Sequence, residues 1–451
     1  MDSTICAIST ALGVGAISII RVSGPDAIKI VNSIFSGADL TKVHSHTISY
    51  GFITYKNEKI DEVLINVMRA PKTFTTEDIV EINSHGGIAT TNKILEILLS
   101  EGCELAEPGE FTKRAFLNGR IDLLEAEAVG DLISSETEKS RKLAINQISG
   151  KLSKNINKLR QDIISLQANI EVNIDYPEYE DIEVITNDVL HPNLEKIKEK
   201  LAELLKDAKN GKIIKNGIDV AIIGKPNVGK SSILNSLLEE NKAIVTNIPG
   251  TTRDIVEGKI ILNGIVLNFI DTAGIRETSD IVEKIGIQKS QDISQNADLI
   301  IYVIDNTSKD TKEDIDYLKS LKNKNIIIFV NKNDQESKFD QNKFANYNLV
   351  FGNTVTKEGL NNLKQTITNL FNLENLETKD YTYLSNARQI SLVKKAKDII
   401  EQAINSLNNE APIDLITVDL RNCYETLGEI IGATYKEDLL NELFSKFCLG
   451  K

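Results

Sequence analysis

The sequence predicts a multidomain chain of the α/β and α classes. An N-terminal α+β domain precedes a helical-bundle domain, and a P-loop domain with a doubly wound, mostly parallel sheet is inserted into the helical one. Three observations predict this. Short apolar runs alternate with helical stretches through the middle of the chain, the pattern of a parallel sheet covered on both faces. Helical patterning stands on either side of that block, so its flanks would pack together. A phosphate-loop pattern opens the block directly after a strand. The expected boundaries are 1–118, 119–215, 216–376 and 377–451.

In the first stretch, ISIIRVSG (17–24) and EVLINVM (62–68) read as strands. TNKILEILLSEG (91–102) reads as a helix, with Ile94, Ile97 and Leu98 on one face and Gly102 as its stop. From Leu152 the apolar positions run Leu152, Ile156, Leu159, Ile163, Leu166 and Ile170, a heptad seam. It is too short for a free coiled coil, which sustains about three to four heptads, so a bundle helix is expected. DYPEYEDIE (175–183) breaks the seam, and a second helix carries Leu194, Ile197, Leu201, Leu205 and Ala208 on one stripe. At NGKIIKNG (210–217) the pattern turns to strands: IDVAIIG (218–224), LNFID (267–271), ADLIIYVID (297–305) and NIIIFVNK (325–332). ARQISLVKKAKDIIEQAINSL (387–407) is helical again.

At roughly 150 residues per domain, the 451 residues make about three domains, and 41% hydrophobic residues supply ordinary cores. No apolar run reaches the ~18 residues of a membrane helix. MDSTICAIST lacks the basic region of a secretory signal, so a cytoplasmic protein with no membrane partner is expected. Cys6, Cys103, Cys423 and Cys448 form no CxxC pair, so neither a zinc site nor a disulfide framework is implied. The terminal FCLGK matches a prenylation box poorly, because Gly450 and Lys451 follow Leu449. A net charge of −13 argues against non-specific nucleic-acid affinity over the whole surface but leaves room for a local basic patch.

GKPNVGKS (224–231) is the full G-x-x-x-x-G-K-S pattern between a strand and a helix. Its glycines let backbone N–H groups curl around phosphate oxygens. Lys230 supplies a point charge, Ser231 offers a hydroxyl to Mg²⁺, and the helix start adds its positive end. GTTRD (250–254) offers a threonine that can close on Mg²⁺, and DTAG (271–274) a carboxylate that can hold it through water. In NKND (331–334), Asp334 would accept hydrogen bonds from the guanine N1 and amino groups, donors that adenine lacks. The four motifs together imply a GTPase of the translation-factor-related class. Ras-like enzymes follow DTAG with a glutamine that orients the attacking water; here Ile275 stands. Arg253 and Arg276 are candidates for the missing positive charge, and equally for surface switch residues.

GEFTKRAFLNGRIDLLEAEAVGDLI (109–133), GKPNVGKSSILN (224–235), IPGTTRD (248–254), DTAGIRETSDIVEKIGI (271–287) and FCLGK resemble the MnmE (TrmE) family of bacterial tRNA-modification GTPases, and the resemblance covers the whole chain. It implies a folate-binding and dimerising first domain and a G domain inserted in the helical one. It implies K⁺ in place of an arginine finger, held by Asn227, Thr246, Thr251 and the backbone carbonyl of Ile248, with Ser231 and Thr252 as Mg²⁺ ligands. Glu283 would orient the attacking water through a second water. GTP would further contact Val228, Gly229, Lys230 and Ser232. Asn247, Pro249 and Gly250 would join from the next motif, Asp271, Thr272, Ala273 and Gly274 from the third, and Asn331 and Lys332 beside Asp334 from the fourth.

The resemblance also implies a tetrahydrofolate derivative, in its 5-formyl or methylene form, at Arg21, Glu81, Arg120 and Lys451. Cations suit a glutamate tail, and a carboxylate suits the donor edge of a pterin. The family usually shows Lys or Arg at position 120. The C-terminal Cys-x-Gly-Lys would reach this site. Cys448 would be a catalytic nucleophile if its pKa were lowered, or else a packing residue. His85 in SHGG is an acid–base candidate or a structural histidine. The implied product is an aminomethyl or carboxymethylaminomethyl group on C5 of the tRNA wobble uridine. By the resemblance, it would be made by a homodimer that forms a heterotetramer with the FAD-dependent MnmG (GidA). The last guanine-binding motif, usually Ser-Ala-x-x-Gly, departs here to Asn353-Thr354-Val355-Thr356-Lys357. A ribosome-assembly GTPase would share the nucleotide motifs, but the GXXG loop of an appended KH module has no counterpart after 375. A folate-dependent methyltransferase with a vestigial G domain is disfavoured by Lys230, Ser231 and Asp334.

Overall fold

Alternating buried and exposed side chains build the first sheet. In the computed structural model it comprises β1 (Ile5–Ile8), β2 (Ile17–Ser23), β3 (Phe35–Ser36), β4 (Thr47–Tyr55), β5 (Glu58–Met68), β6 (Ile79–His85) and β7 (Glu104–Leu105). The order is β3-β4-β5-β6-β2-β1-β7, antiparallel throughout except for the β1–β7 pair. Ile20, Val22, Val63, Ile65, Val80 and Ile82 share one core with Val31 and Ile34 of helix Ala27–Ile34 and with Ile94, Ile97 and Leu98 of helix Ile88–Ser100. That second helix starts earlier than the sequence suggests, because Gly87 takes the N-cap position and its carbonyl accepts from Thr91 Oγ1. It stops where expected, with Gly102 at φ +105° behind it. β5 also starts earlier, after a tight turn in which Lys56 and Asn57 both take positive φ.

The structure describes residues 3–175, 187–240, 256–270, 294–309, 311–321, 324–376 and 383–450. The chain divides into two units. One is Met1–Ser134 with Ala144–Glu203 and Ser391–Lys451; the other is Ser135–Leu143 with Leu204–Ile390. The first unit adds helices to its sheet. Helix Leu123–Ser134 opens with a reciprocal capping box: Asp122 Oδ1 accepts from the Glu125 N–H, and Glu125 Oε2 from the Asp122 N–H. The expected seam lies in helix Lys151–Asp175, buried from Leu152 to Ile170, against helix Ile413–Ile431. Helix Asn187–Lys206 buries Leu194, Ile197 and Leu201, but the stripe ends there. Leu205 is half-buried, and Ala208 belongs to a separate helix, Ala208–Asn216. NGKIIKNG is thus helical up to Asn216, where Gly217 at φ +81° ends it and lets the Val266 carbonyl approach to where a Cβ would stand.

The second unit is a doubly wound sheet of β8 (Ile218–Gly224), β9 (Val256–Leu262), β10 (Ile265–Ile270), β11 (Leu299–Asp305), β12 (Asn325–Asn331) and β13 (Asn348–Phe351). Its order is β13-β12-β11-β8-β10-β9, parallel except for the β9–β10 hairpin. Alternate residues feed two cores. Ile222, Ile301, Val303 and Phe329 pack with helices Lys230–Glu240 and Leu360–Leu370. Ala221, Ile300, Tyr302 and Ile328 pack with Leu318 of helix Lys312–Ser320. Among the described residues no helix is long and apolar enough to cross a membrane.

Candidate functional site

The second unit presents a phosphate loop at the carboxyl end of β8. Gly224 sits at φ +154°, and a Cβ there would meet the Val303 carbonyl of the neighbouring β11 at 2.4 Å. Gly229 sits at φ +100°, and its Cβ would lie 2.2 Å from Asn331 Nδ2. Both glycines of the pattern are therefore demanded by close approach as well as by conformation. Lys230 is buried, and its Nζ donates to the Gly224 carbonyl at 2.8 Å and the Lys225 carbonyl at 2.6 Å, inside the curl of the loop. Burial lowers its pKa to about 8. Ser231 and Ser232 are exposed in the first turn of the following helix, and Asn227 is exposed on the loop at φ +60°. Lys225 anchors the outer side of the loop through ion pairs with Asp314 (3.1 Å) and Glu313 (3.2 Å).

The loop after β12 joins it through Asn331, which is 1% exposed. Its Nδ2 donates to the Val228 carbonyl at 2.7 Å, and its Oδ1 accepts from the Thr354 N–H at 3.2 Å. One amide thus ties the phosphate loop to the loops after β12 and β13. That tie was invisible in the sequence, where Asn331 reads only as part of a base-binding motif. Lys332, at φ +62°, reaches Asp305 at the end of β11 at 2.6 Å. Burial pushes the Asp305 carboxyl up, but hydrogen bonds from Lys332 and Thr307 outweigh it and hold the group below the ordinary range. Asp334 is exposed. The departed motif still closes its turn: Asn353 Oδ1 accepts from the Val355 N–H at 2.8 Å. Thr246, Asn247, Ile248, Pro249, Gly250, Thr251, Thr252, Arg253, Asp271, Thr272, Ala273, Gly274, Ile275, Arg276, Glu283 and Lys451 lie outside the described residues.

In the first unit, cross-strand register puts Arg21 of β2 opposite Glu81 of β6. Arg21 Nε and Nη2 both donate to Glu81 Oε1, at 2.9 and 2.7 Å. Arg21 Nη1 and Ser9 Oγ donate to the Gly450 carbonyl, at 3.3 and 3.2 Å. Gly450 is buried at φ +82°, so the C-terminal tail lies against β1 and β2 beside the Arg21–Glu81 pair. Cys448 is exposed, and its carbonyl accepts from the Gly109 N–H at 3.4 Å. Arg120 stands elsewhere on the same unit. Its Nη1 donates to the Phe74 carbonyl at 2.9 Å, and its guanidinium lies 4.9 Å from the Phe74 ring centre. It lines a cleft of about 570 Å³. The Arg21 guanidinium lies 5.7 Å from the ring centre of the buried Phe111, and Phe74 packs on the core cluster that contains Phe111. His85 pairs with Asp61 Oδ1 at 2.7 Å, which raises its pKa through the hydrogen bond and the carboxylate charge.

A buried lysine curled into a glycine loop at the carboxyl end of a mostly parallel sheet, with an Asn-Lys-x-Asp loop tied to it, defines a P-loop nucleotide-binding protein of the GTPase kind. Two family profiles match the chain: "GTP-binding protein TrmE N-terminus" over residues 4–120 and "MnmE helical domain" over residues 123–448. The chain is similar to the tRNA modification GTPase MnmE of Bacillus cereus, at 50% identity over 99% of both chains, and to that of Bacillus anthracis at 49% over the same shares. Among solved structures it is similar to the G domain of the T. maritima FeoB iron transporter. The identity is 31%, over 34% of this chain and 98% of that one, with a TM-score of 0.26. The chain belongs to the MnmE family.

Proposed function

We propose that the chain is a K⁺-dependent GTPase that acts in tRNA modification. In a heterotetramer with MnmG, its homodimer adds an aminomethyl or carboxymethylaminomethyl group to C5 of the wobble uridine in the cytoplasm. The observation that carries this reading is the Lys230 ammonium inside the phosphate loop, in a chain similar from end to end to proteins named tRNA modification GTPase. Residues 216–376 serve as the inserted G domain, 119–215 and 377–451 as the helical domain, and 1–118 as the folate-binding and dimerising domain.

The loop suits a triphosphate. Gly224, Asn227 and Gly229 all take positive φ, the sharp backbone turns by which a loop can curl its N–H groups around a phosphate. Ser231 and Thr252 would hold Mg²⁺, and Asn227, Thr246, Thr251 and the Ile248 carbonyl would hold K⁺. When bound, these cations supply the positive charge that offsets charge developing between the phosphates. Asp334 reads the guanine edge, and Glu283 orients the attacking water. In the first unit, Arg21, Glu81, Arg120 and Lys451 would bind a tetrahydrofolate derivative, which supplies the one-carbon unit. The docked tail supports this, since it places Gly450 against Arg21. The test is genetic and chemical. Wobble uridines of a strain lacking the gene should lose their aminomethyl-type groups by mass spectrometry of digested tRNA. The intact gene should restore them, and a copy lacking Lys451 should not. Unchanged wobble uridines in the deletion strain would overturn the reading.

A further inference from the structure

The cleft beside Arg120 has a chemistry that one carboxylate does not use up. Its walls include Met68, Pro71 and Phe74, and its basic groups are His46, Lys72 and Arg120. No Asp or Glu lines it, in a chain whose net charge is −13. Lys72 and His46 are exposed, and neither Lys72 nor Arg120 forms an ion pair among the described residues. The floor is held in place by the Asn118 side chain, whose Nδ2 donates to the Thr75 carbonyl at 2.7 Å. Across the rim, Thr73 Oγ1 donates to the Glu77 carbonyl at 2.6 Å.

The geometry points to this cleft as a subsite for a chain of carboxylates, the poly-γ-glutamyl tail of the folate ligand, read by Lys72 and His46 beyond the first contact at Arg120. This rests on the folate reading above. Each γ-glutamyl unit offers one carboxylate on a methylene and amide spacer, which matches basic groups set among apolar walls. The volume falls in the range of small-molecule sites, about 300–1,000 Å³. Arg21 lies against the ring of the fully buried Phe111, and Phe74 packs on the same cluster, so the cleft and the Arg21–Glu81 pair flank one core cluster of the first unit. A nucleic-acid strand would instead call for a longer phosphate track with stacking platforms.

The test compares equilibrium binding of 5-formyltetrahydrofolate carrying one glutamate and five γ-linked glutamates to the full chain. The five-glutamate form should bind at least about fivefold tighter, the effect of two or three exposed charge pairs. That ratio should shrink as salt rises from about 50 to 300 mM, and should fall below about twofold in Lys72→Glu and Lys72→Ala. Lys72 is exposed, so neither change threatens folding. Equal affinity for the two forms, with the one-glutamate form bound, overturns the tail subsite and leaves the folate reading standing. Failure to bind either form overturns both. A Lys72→Glu protein that loses tRNA binding while keeping the wild-type ratio assigns the cleft to an RNA backbone and overturns the tail subsite.

Discussion

Burying an ammonium costs free energy, and at Lys230 that cost sets a pH dependence. Burial lowers its pKa from 10.5 to about 8. Between those values the folded chain without nucleotide has released a proton that the unfolded chain still holds. The unfolded state then binds more protons, so the stability contributed by this site rises with pH across the window. A phosphate in the loop reverses the preference and puts the proton back. GDP binding at about pH 9 should therefore take up close to one proton, and at about pH 7 almost none. Calorimetry in two buffers of different ionisation enthalpy measures this. No uptake at the higher pH would remove Lys230 from the phosphate contacts. Lys230 was legible in the sequence because its spacing from the glycines is fixed by the chemistry of the loop. Arg114 was not. It is 1% exposed and bound to Glu77, Glu110 and the Ser3 carbonyl, and nothing local tells a core arginine with partners from a surface one.

At the scale of elements, legibility followed burial. β8, β11 and β12 are covered on both faces, so they read as largely apolar runs; the bounds of β8 match, β11 starts two residues later than expected and β12 ends one residue earlier. β9, an edge strand containing Gly258 and Lys259, and β13, only four residues long, carry no such run. The turn between β9 and β10 did have a signal, since Asn263 and Gly264 both take positive φ and Asn-Gly is a strong short hairpin cue. Helix Ala208–Asn216 was hidden by its glycine. Gly211 answers tertiary packing and not a turn, for a Cβ there would stand 2.2 Å from the Leu384 carbonyl. The C-terminal tail raises a prediction at this scale. Gly450 combines φ +82° with a Cβ position 2.6 Å from the Ile8 carbonyl. Alanine there carries roughly 1–3 kcal/mol of strain, enough to release the tail from Arg21. Gly450→Ala should speed trimming of the terminus by carboxypeptidase and weaken folate binding by about ten- to a hundredfold. Trimming at the wild-type rate would mean that the tail is held by other contacts.

For the whole molecule, the chain passes between the two units at 134–135, 143–144, 203–204 and 390–391. The stretch 135–143 counts with the second unit through side chains that sequence periodicity does not register. Lys139 Nζ donates to the Leu373 carbonyl at 3.1 Å from a buried position, and Glu136 pairs with Lys259 of β9. Each unit has its own sheet and apolar core, so each should melt as its own transition in scanning calorimetry. The phosphate loop and its Asn331 tie belong entirely to the second unit. GDP at about a hundred times its Kd should add about 2.7 kcal/mol to that unit alone. For a unit of this size the shift is roughly 5–10 °C in one transition, with the other left in place. A single transition that moves as a whole would mean that the four crossings bind both cores into one cooperative unit. The stability that GDP adds would then extend to the sheet of the first unit, and any change that loosens the Arg114 network would lower the melting temperature of the GDP-bound chain as a whole.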